Sequence, residues 1–229
     1  MAAIYLIRHG QASFGAANYD RLSPTGEAQA RALGTLWARQ GWAVHHAFHG
    51  TLERQQRTLG LALDTAGLTP PVQELAAFDE FDHEGLIARL LPVLAREDEE
   101  VAAFMAGTVD RKARFQSVFG KIVRHWLQHP DSGVEPWSRF RERVTDGLNE
   151  VKARLGKGEK AVIVTSGGPI TAAVQSVLGL GDEAAFGINW SLANAGITKL
   201  VTDGKRLSLA YLNHYHYLRD APECRVTYR

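Results

Sequence analysis

The sequence predicts an α/β fold: a three-layer α/β/α sandwich around a mostly parallel central sheet, with an antiparallel edge strand and a helical insertion. Three observations predict it. Apolar runs without polar alternation recur along the chain, as strands covered on both faces require. Amphipathic helical patterns separate those runs. Near the end, Asp203-Gly204 lies between two further apolar runs, which is a hairpin signal.

Each element follows in order. Ala2 to Ile7 is the first strand, and a Gly-containing loop follows it. Ser23-Pro24 reads as an N-cap with proline in the first helical turn, and this helix runs toward Gly41. Ala43 to Phe48 is the second strand. Thr51 caps the next helix, which stops near Gly67, and Val72 to Leu75 is a third, short strand. From about 86 to 136 the chain is charged and helical in pattern, interrupted at Pro92, Gly107, Pro130 and Pro136. We read this stretch as an insertion into one domain spanning 1–229. A long amphipathic helix covers Trp137 to Leu155, and Ala161 to Thr165 is another apolar strand. Pro169 opens a helix that ends near Gly179. Ala195 to Val201 and Leu207 to Leu212 form the closing hairpin.

Composition narrows the function classes. Among 229 residues, 45% are hydrophobic and 22% charged, which is ordinary for a globular protein. A formal net charge of +1 gives no global field toward nucleic acid or an anionic membrane, so neither is expected as a partner. No stretch has the length and apolarity of a membrane span, and the first residues lack a basic leader. A cytoplasmic location is the expectation. The single cysteine, Cys224, allows no internal disulfide and reads as a spectator thiol. The histidine groups His45, His46 and His49, His125 with His129, and His214 with His216 are joined by no thiol or carboxylate cluster, so no metal or other cofactor is expected. Trp126, Trp137 and Trp190 read as packing residues.

Chemistry concentrates at the strand ends, where open α/β sheets bind ligands. Arg8, His9 and Gly10 end the first strand; Arg54 follows the second; Glu80 follows the third; Ser166, Gly167 and Gly168 follow the strand ending at Thr165. An imidazole can act as a nucleophile near neutral pH. Guanidinium groups grip phosphate through paired donors. Backbone N–H groups at a helix start attract anions, and a carboxylic acid can protonate a leaving oxygen. Taken singly, each residue has an ordinary structural explanation. Placed together at equivalent strand ends, they fit phosphoryl transfer.

The segments carrying these residues resemble those of the histidine phosphatase superfamily, also called phosphoglycerate mutase-like. LIRHGQASFG is similar to its opening signature, and LSPTGEAQA to the segment that follows. GTLERQQRT is similar to its second arginine motif, EFDHEGL to a variant of its acid motif, and VIVTSGGPI to its closing motif. The resemblance covers the core on both sides of the insertion. It implies that His9 forms a phosphohistidine and that Glu80 is the proton donor. It also implies that Arg8, Arg54, Ser166 and Gly167 bind phosphate, and that no metal takes part. Water, or an acceptor hydroxyl in mutases, then takes the phosphoryl group.

The match departs at several places. Ser166 stands where the family usually has a second histidine; a serine hydroxyl donates a hydrogen bond but carries no charge. His83 is the nearest candidate to compensate. Ala12 and Gly15 replace a common threonine and asparagine, and Ser13 could supply the missing hydroxyl. Arg57 falls where glutamine is common. These departures argue against a glycolytic mutase. The expectation is a phosphohydrolase acting on a phosphorylated small molecule or a phosphoprotein. A mutase-like phosphotransferase and a catalytically weak phosphate-binding or interaction module are the alternatives. An acyl hydrolase built on Ser166 is disfavoured, because Val164 occupies the position where a nucleophile elbow needs glycine. A homodimer is left open by the sequence.

Overall fold

A computed structural model describes residues 1–13, 20–221 and 223–228. The chain divides into two compact units, Met1–Glu80 with Arg143–Arg229, and Phe81–Glu142.

The first unit is built on a six-stranded sheet of order β3-β2-β4-β1-β5-β6. Its strands are β1 (Ala2–Arg8), β2 (His46–His49), β3 (Val72–Glu74), β4 (Lys160–Thr165), β5 (Ile197–Thr202) and β6 (Leu207–His214). The first four run parallel, with β1 and β2 flanking β4. Strand β5 runs antiparallel to both β1 and β6, so the reversal falls on the penultimate strand and β6 forms the edge. The Asp203-Gly204 hairpin is present. Its turn is longer than the dipeptide alone, because the Asp203 carboxylate accepts from both Lys205 N and Arg206 N.

Helices α1 (Pro24–Arg39) and α2 (Glu53–Ala66) cover one face of the sheet. Tyr5, Ile7, Val162 and Val164 meet Leu33, Trp37, Leu59 and Ala62 there. Fully buried aliphatic side chains such as Leu33 and Leu59 each contribute about 1.5–3 kcal/mol. Ile4, Leu6, Ala161 and Ile163 point to the opposite face and are also fully buried. Helix α7 (Gly167–Leu178) lies against β1 and β6, and α8 (Asp182–Asn189) packs on α7.

Local signals explain most boundaries. The Ser23 hydroxyl accepts from Gly26 N, as an N-cap should. Gly67 and Gly179 end α2 and α7 in the left-handed conformation. Two expectations fail. Thr51 does not cap α2, because its hydroxyl is drawn to the Asp79 carboxylate at 2.7 Å and Leu52 takes the cap position instead. Pro169 does not open α7, which starts at Gly167 after Ser166; the proline sits in the first turn, where no intrahelical N–H is needed.

The second unit contains α3 (His83–Leu94), α4 (Glu99–Ala106), α5 (Arg111–Gln128) and the first turns of α6 (Trp137–Ala153). The expected insertion at 86–136 lies inside it. Asp82, Asp98 and Asp110 each cap a helix. Phe81, Trp126, Trp137 and Phe140 form an aromatic centre with ring centroids 5.0–5.8 Å apart. Pro92 does not interrupt α3, because it lies near the end, where few following residues depend on the helix. Trp190, expected to pack inside, follows α8 and is 37% exposed. No helix among the described residues is long and apolar enough to cross a membrane.

Candidate active site

The sheet places β1 beside β4, with Arg8 opposite Thr165. His9 N donates to Thr165 O at 2.8 Å, so the residue after β1 is fixed against the turn that starts α7. Asn194 Nδ2 donates to His9 O at 3.1 Å. Ala195, at φ 56°, turns its N–H to Arg8 O at 3.0 Å. Gly10 lies against the first turn of α1, where a Cβ would fall 2.4 Å from Gly26 O, so only glycine fits.

The imidazole of His9 is buried and doubly held. Nδ1 contacts Gly10 O at 2.7 Å, and a carbonyl can only accept, so Nδ1 carries the proton. Nε2 is therefore the lone-pair nitrogen, and it accepts from Arg54 Nε at 3.1 Å. Burial holds the His9 pKa well below the ordinary histidine value, and the positive charges of Arg54 and Arg8 push the same way. The Gly10 carbonyl opposes them more weakly. The lowered pKa favours the neutral ring, with its lone-pair nitrogen facing a guanidinium.

Arg54, in the first turn of α2, is itself buried. Its Nη1 pairs with Asp20 Oδ1 at 2.6 Å, and Asp20 Oδ2 accepts from Glu53 N at 2.8 Å. Arg8 directs Nη1 to the carbonyls of Leu192 and Tyr228, the latter at 2.9 Å. A Cβ at Gly167 would lie 3.9 Å from Arg8 Nε, so the start of α7 borders this guanidinium. Glu80 accepts from Gly168 N through both carboxylate oxygens, at 3.1 and 3.2 Å. Ser166 is fully buried, and its Oγ accepts from Gln55 Nε2 at 2.9 Å.

The structure therefore brings His9, Arg54 and Arg8 together and sets Glu80, Ser166 and Gly167 around the α7 N-terminus. Ser13 lies in the loop after β1, with its N–H on Arg21 O at 2.8 Å. Gly15 lies outside the described residues. His83 opens α3 in the second unit. Arg57 points to Glu27 at 3.0 Å on the surface.

Sequence reasoning missed Asp20, Gln55 and Asn194. Gln55 carried a usable signal, a neutral amide immediately after Arg54 on the inward side of α2. Asp20 and Asn194 read as ordinary loop residues, and only the tertiary fold brings them to Arg54 and His9.

Comparison with known proteins gives the family and the fold. The family model described as histidine phosphatase superfamily (branch 1) matches residues 4–118 and 85–214. The 2,3-bisphosphoglycerate-dependent phosphoglycerate mutase of Maricaulis maris is 26% identical over 231 residues, covering 93% of this chain and 95% of that protein. The structure of phosphoglycerate mutase from Bacillus anthracis superposes with a TM-score of 0.67 at 17% identity, covering 96% of each chain. Phosphoserine phosphatase from Entamoeba histolytica, in complex with 3-phosphoglyceric acid, gives 0.62 at 16% identity, covering 95% of this chain and 100% of that one. At these identities the two structures establish the shared fold.

Proposed function

Because the chain belongs to the histidine phosphatase superfamily, branch 1, we propose that it hydrolyses phosphomonoesters through a phosphohistidine at His9. The observation that carries this reading is the His9–Arg54 pair, a neutral imidazole whose lone-pair nitrogen faces a buried guanidinium.

The steps follow from that pair. A phosphoryl group entering the site takes over Arg54 Nε–H, which frees the Nε2 lone pair. Nε2 attacks phosphorus; the N–P bond forms as the bond to the leaving oxygen breaks. Arg8 and Arg54, with the N–H of Gly167, bind the equatorial oxygens. Glu80 passes a proton to the leaving oxygen. As the ring gains positive charge, its Nδ1–H bond to Gly10 O strengthens. Water then attacks phosphorus, Glu80 takes its proton, and phosphate leaves with His9 neutral again.

Two relatives, a phosphoglycerate mutase and a phosphoserine phosphatase seen with 3-phosphoglyceric acid, support a small phosphorylated metabolite as substrate. We assign the whole chain to one catalytic domain, with 81–142 inserted into it. The test is phosphate release across phosphorylated metabolites and phosphopeptides, with acid-labile labelling of the protein as the second readout. Labelling lost in His9→Ala, with phosphate still bound, is the expected result. Unlabelled but active wild type overturns the mechanism. Dependence on a bisphosphorylated activator would turn the reading to a mutase.

A further inference from the structure

Glu80 reaches the site on a segment with little regular structure of its own, a 3₁₀ turn at Ala76–Phe78 followed by Asp79. Side chains from elsewhere hold every carbonyl of that segment. Arg143 Nη1, on α6, donates to Ala76 O at 3.1 Å, Ala77 O at 3.0 Å and Asp79 O at 3.3 Å. The one remaining, Phe78 O, accepts from Thr165 Oγ1 at 2.6 Å and from Gln55 Nε2 at 3.2 Å. The Asp79 carboxylate is occupied by Thr51 N and the Thr51 hydroxyl. One turn further along α6, Gly147 lets the helix come close: a Cβ there would fall 2.7 Å from Ala77 Cβ.

We propose that Arg143 is a positioning residue for proton transfer, setting Glu80 through the three carbonyls it gathers. This rests on the phosphatase reading above and deepens it. The physical reason is economy of anchoring. A single cationic nitrogen draws three carbonyl dipoles to one point, which fixes the path of the backbone just before Glu80. Gln55 extends the same anchoring, because its amide joins Phe78 O to Ser166 Oγ. Glu80 is thus fixed at both ends, by its backbone approach and by Gly168 N on its carboxylate. A displacement of about 1 Å in such a group lowers rate on the order of a hundredfold.

The prediction separates positioning from mere stability, because proton donation matters most when the leaving oxygen is basic. In Arg143→Met, kcat/KM for an alkyl phosphate should fall by about thirtyfold or more. For p-nitrophenyl phosphate, whose leaving group departs unaided, it should fall by less than about threefold. Inhibition by inorganic phosphate should stay within about twofold, since the arginines that bind it are untouched. Arg143→Lys, which keeps the charge, should recover part of the alkyl phosphate activity. Glu80→Gln should show the same selective loss, and adding Arg143→Met to it should cost little more. If Arg143→Met fails to fold, Arg143→Lys carries the same assay with a smaller expected loss. Equal losses on the two esters in any folded variant, or no loss on either, overturn the proposal. Wild-type protein that cleaves neither ester instead overturns the phosphatase reading on which it rests.

Discussion

Two strands of this sheet lead into the same histidine-glycine dipeptide, and we propose the nucleophile at only one of them. His9 follows β1 and His49 ends β2, with β4 between the two strands. Both side chains are 5% exposed. Both direct Nδ1 to the carbonyl of the next glycine, at 2.7 Å for His9 and 2.6 Å for His49. The tautomer is therefore set in the same way twice. The difference lies at the neighbours. His9 has Arg8 before it and Arg54 on Nε2, whereas His49 follows Phe48, whose ring is covered by Arg154 at 5.7 Å. A histidine-glycine pair at a strand end is a way to orient an imidazole; in the mechanism we propose, the paired guanidiniums are what distinguish His9 for phosphoryl transfer.

The sharpest way to break this comparison is to remove each imidazole. His9→Ala should lower phosphate release by more than about a thousandfold. His49→Ala should keep activity within about threefold and cost about 1–3 kcal/mol of stability through its lost buried contacts. Phosphate assays and urea melts on both variants check this, and loss of turnover in His49→Ala would end the distinction.

The two glycines sharpen it next. A Cβ at Gly10 meets the Gly26 backbone oxygen at 2.4 Å, which cannot move without shifting α1. A Cβ at Gly50 meets Gln55 Oε1 at 2.1 Å and Asp79 Oδ1 at 2.4 Å, both at the ends of side chains, and the nearest backbone atom it meets is the Phe78 carbonyl carbon, 3.0 Å away. Gly10→Ala should therefore cost about 3 kcal/mol or more, and Gly50→Ala about 1–2 kcal/mol. Denaturant midpoints give the ranking, and the reverse order would contradict it.

The smallest effect is in pH. The folded state holds the His9 pKa below its unfolded value, chiefly by burial and then by Arg54 and Arg8. Below about pH 6.5 the unfolded chain takes a proton that the folded chain refuses. Stability from this residue is thus fully present above about 6.5 and is lost as pH falls toward the folded value. His9→Asn should flatten the dependence of Tm between pH 7 and 5 relative to wild type. Parallel Tm curves would mean that His9 takes a proton while folded.

How far the sequence foretold the molecule depends on how local each cause is. The apolar run of β1, the Ser23 cap and the glycine stops at Gly67 and Gly179 were legible because each is decided within a few residues. His9, Arg54 and Glu80 could be placed on one edge because strand ends converge in such sheets. Thr51 was misread because Asp79, 28 residues away, competes for its hydroxyl. Asp20, Asn194 and Arg143 were invisible for the same reason: an aspartate and an asparagine in loops and an arginine on a helix look ordinary until their partners are known. The family pattern supplied the roles; it did not supply the side chains that hold the roles in place.

The position of β1 also governs the order in which this protein can assemble. Its two hydrogen-bonded neighbours are β4, which begins at Lys160, and β5, which begins at Ile197. At about 5–20 residues per second, a ribosome needs on the order of ten seconds to deliver the first of them. Through that interval an apolar segment with open edges waits without a sheet partner, the condition that favours misassociation. Nascent chains stalled before Lys160 should therefore be the species that chaperones hold most firmly.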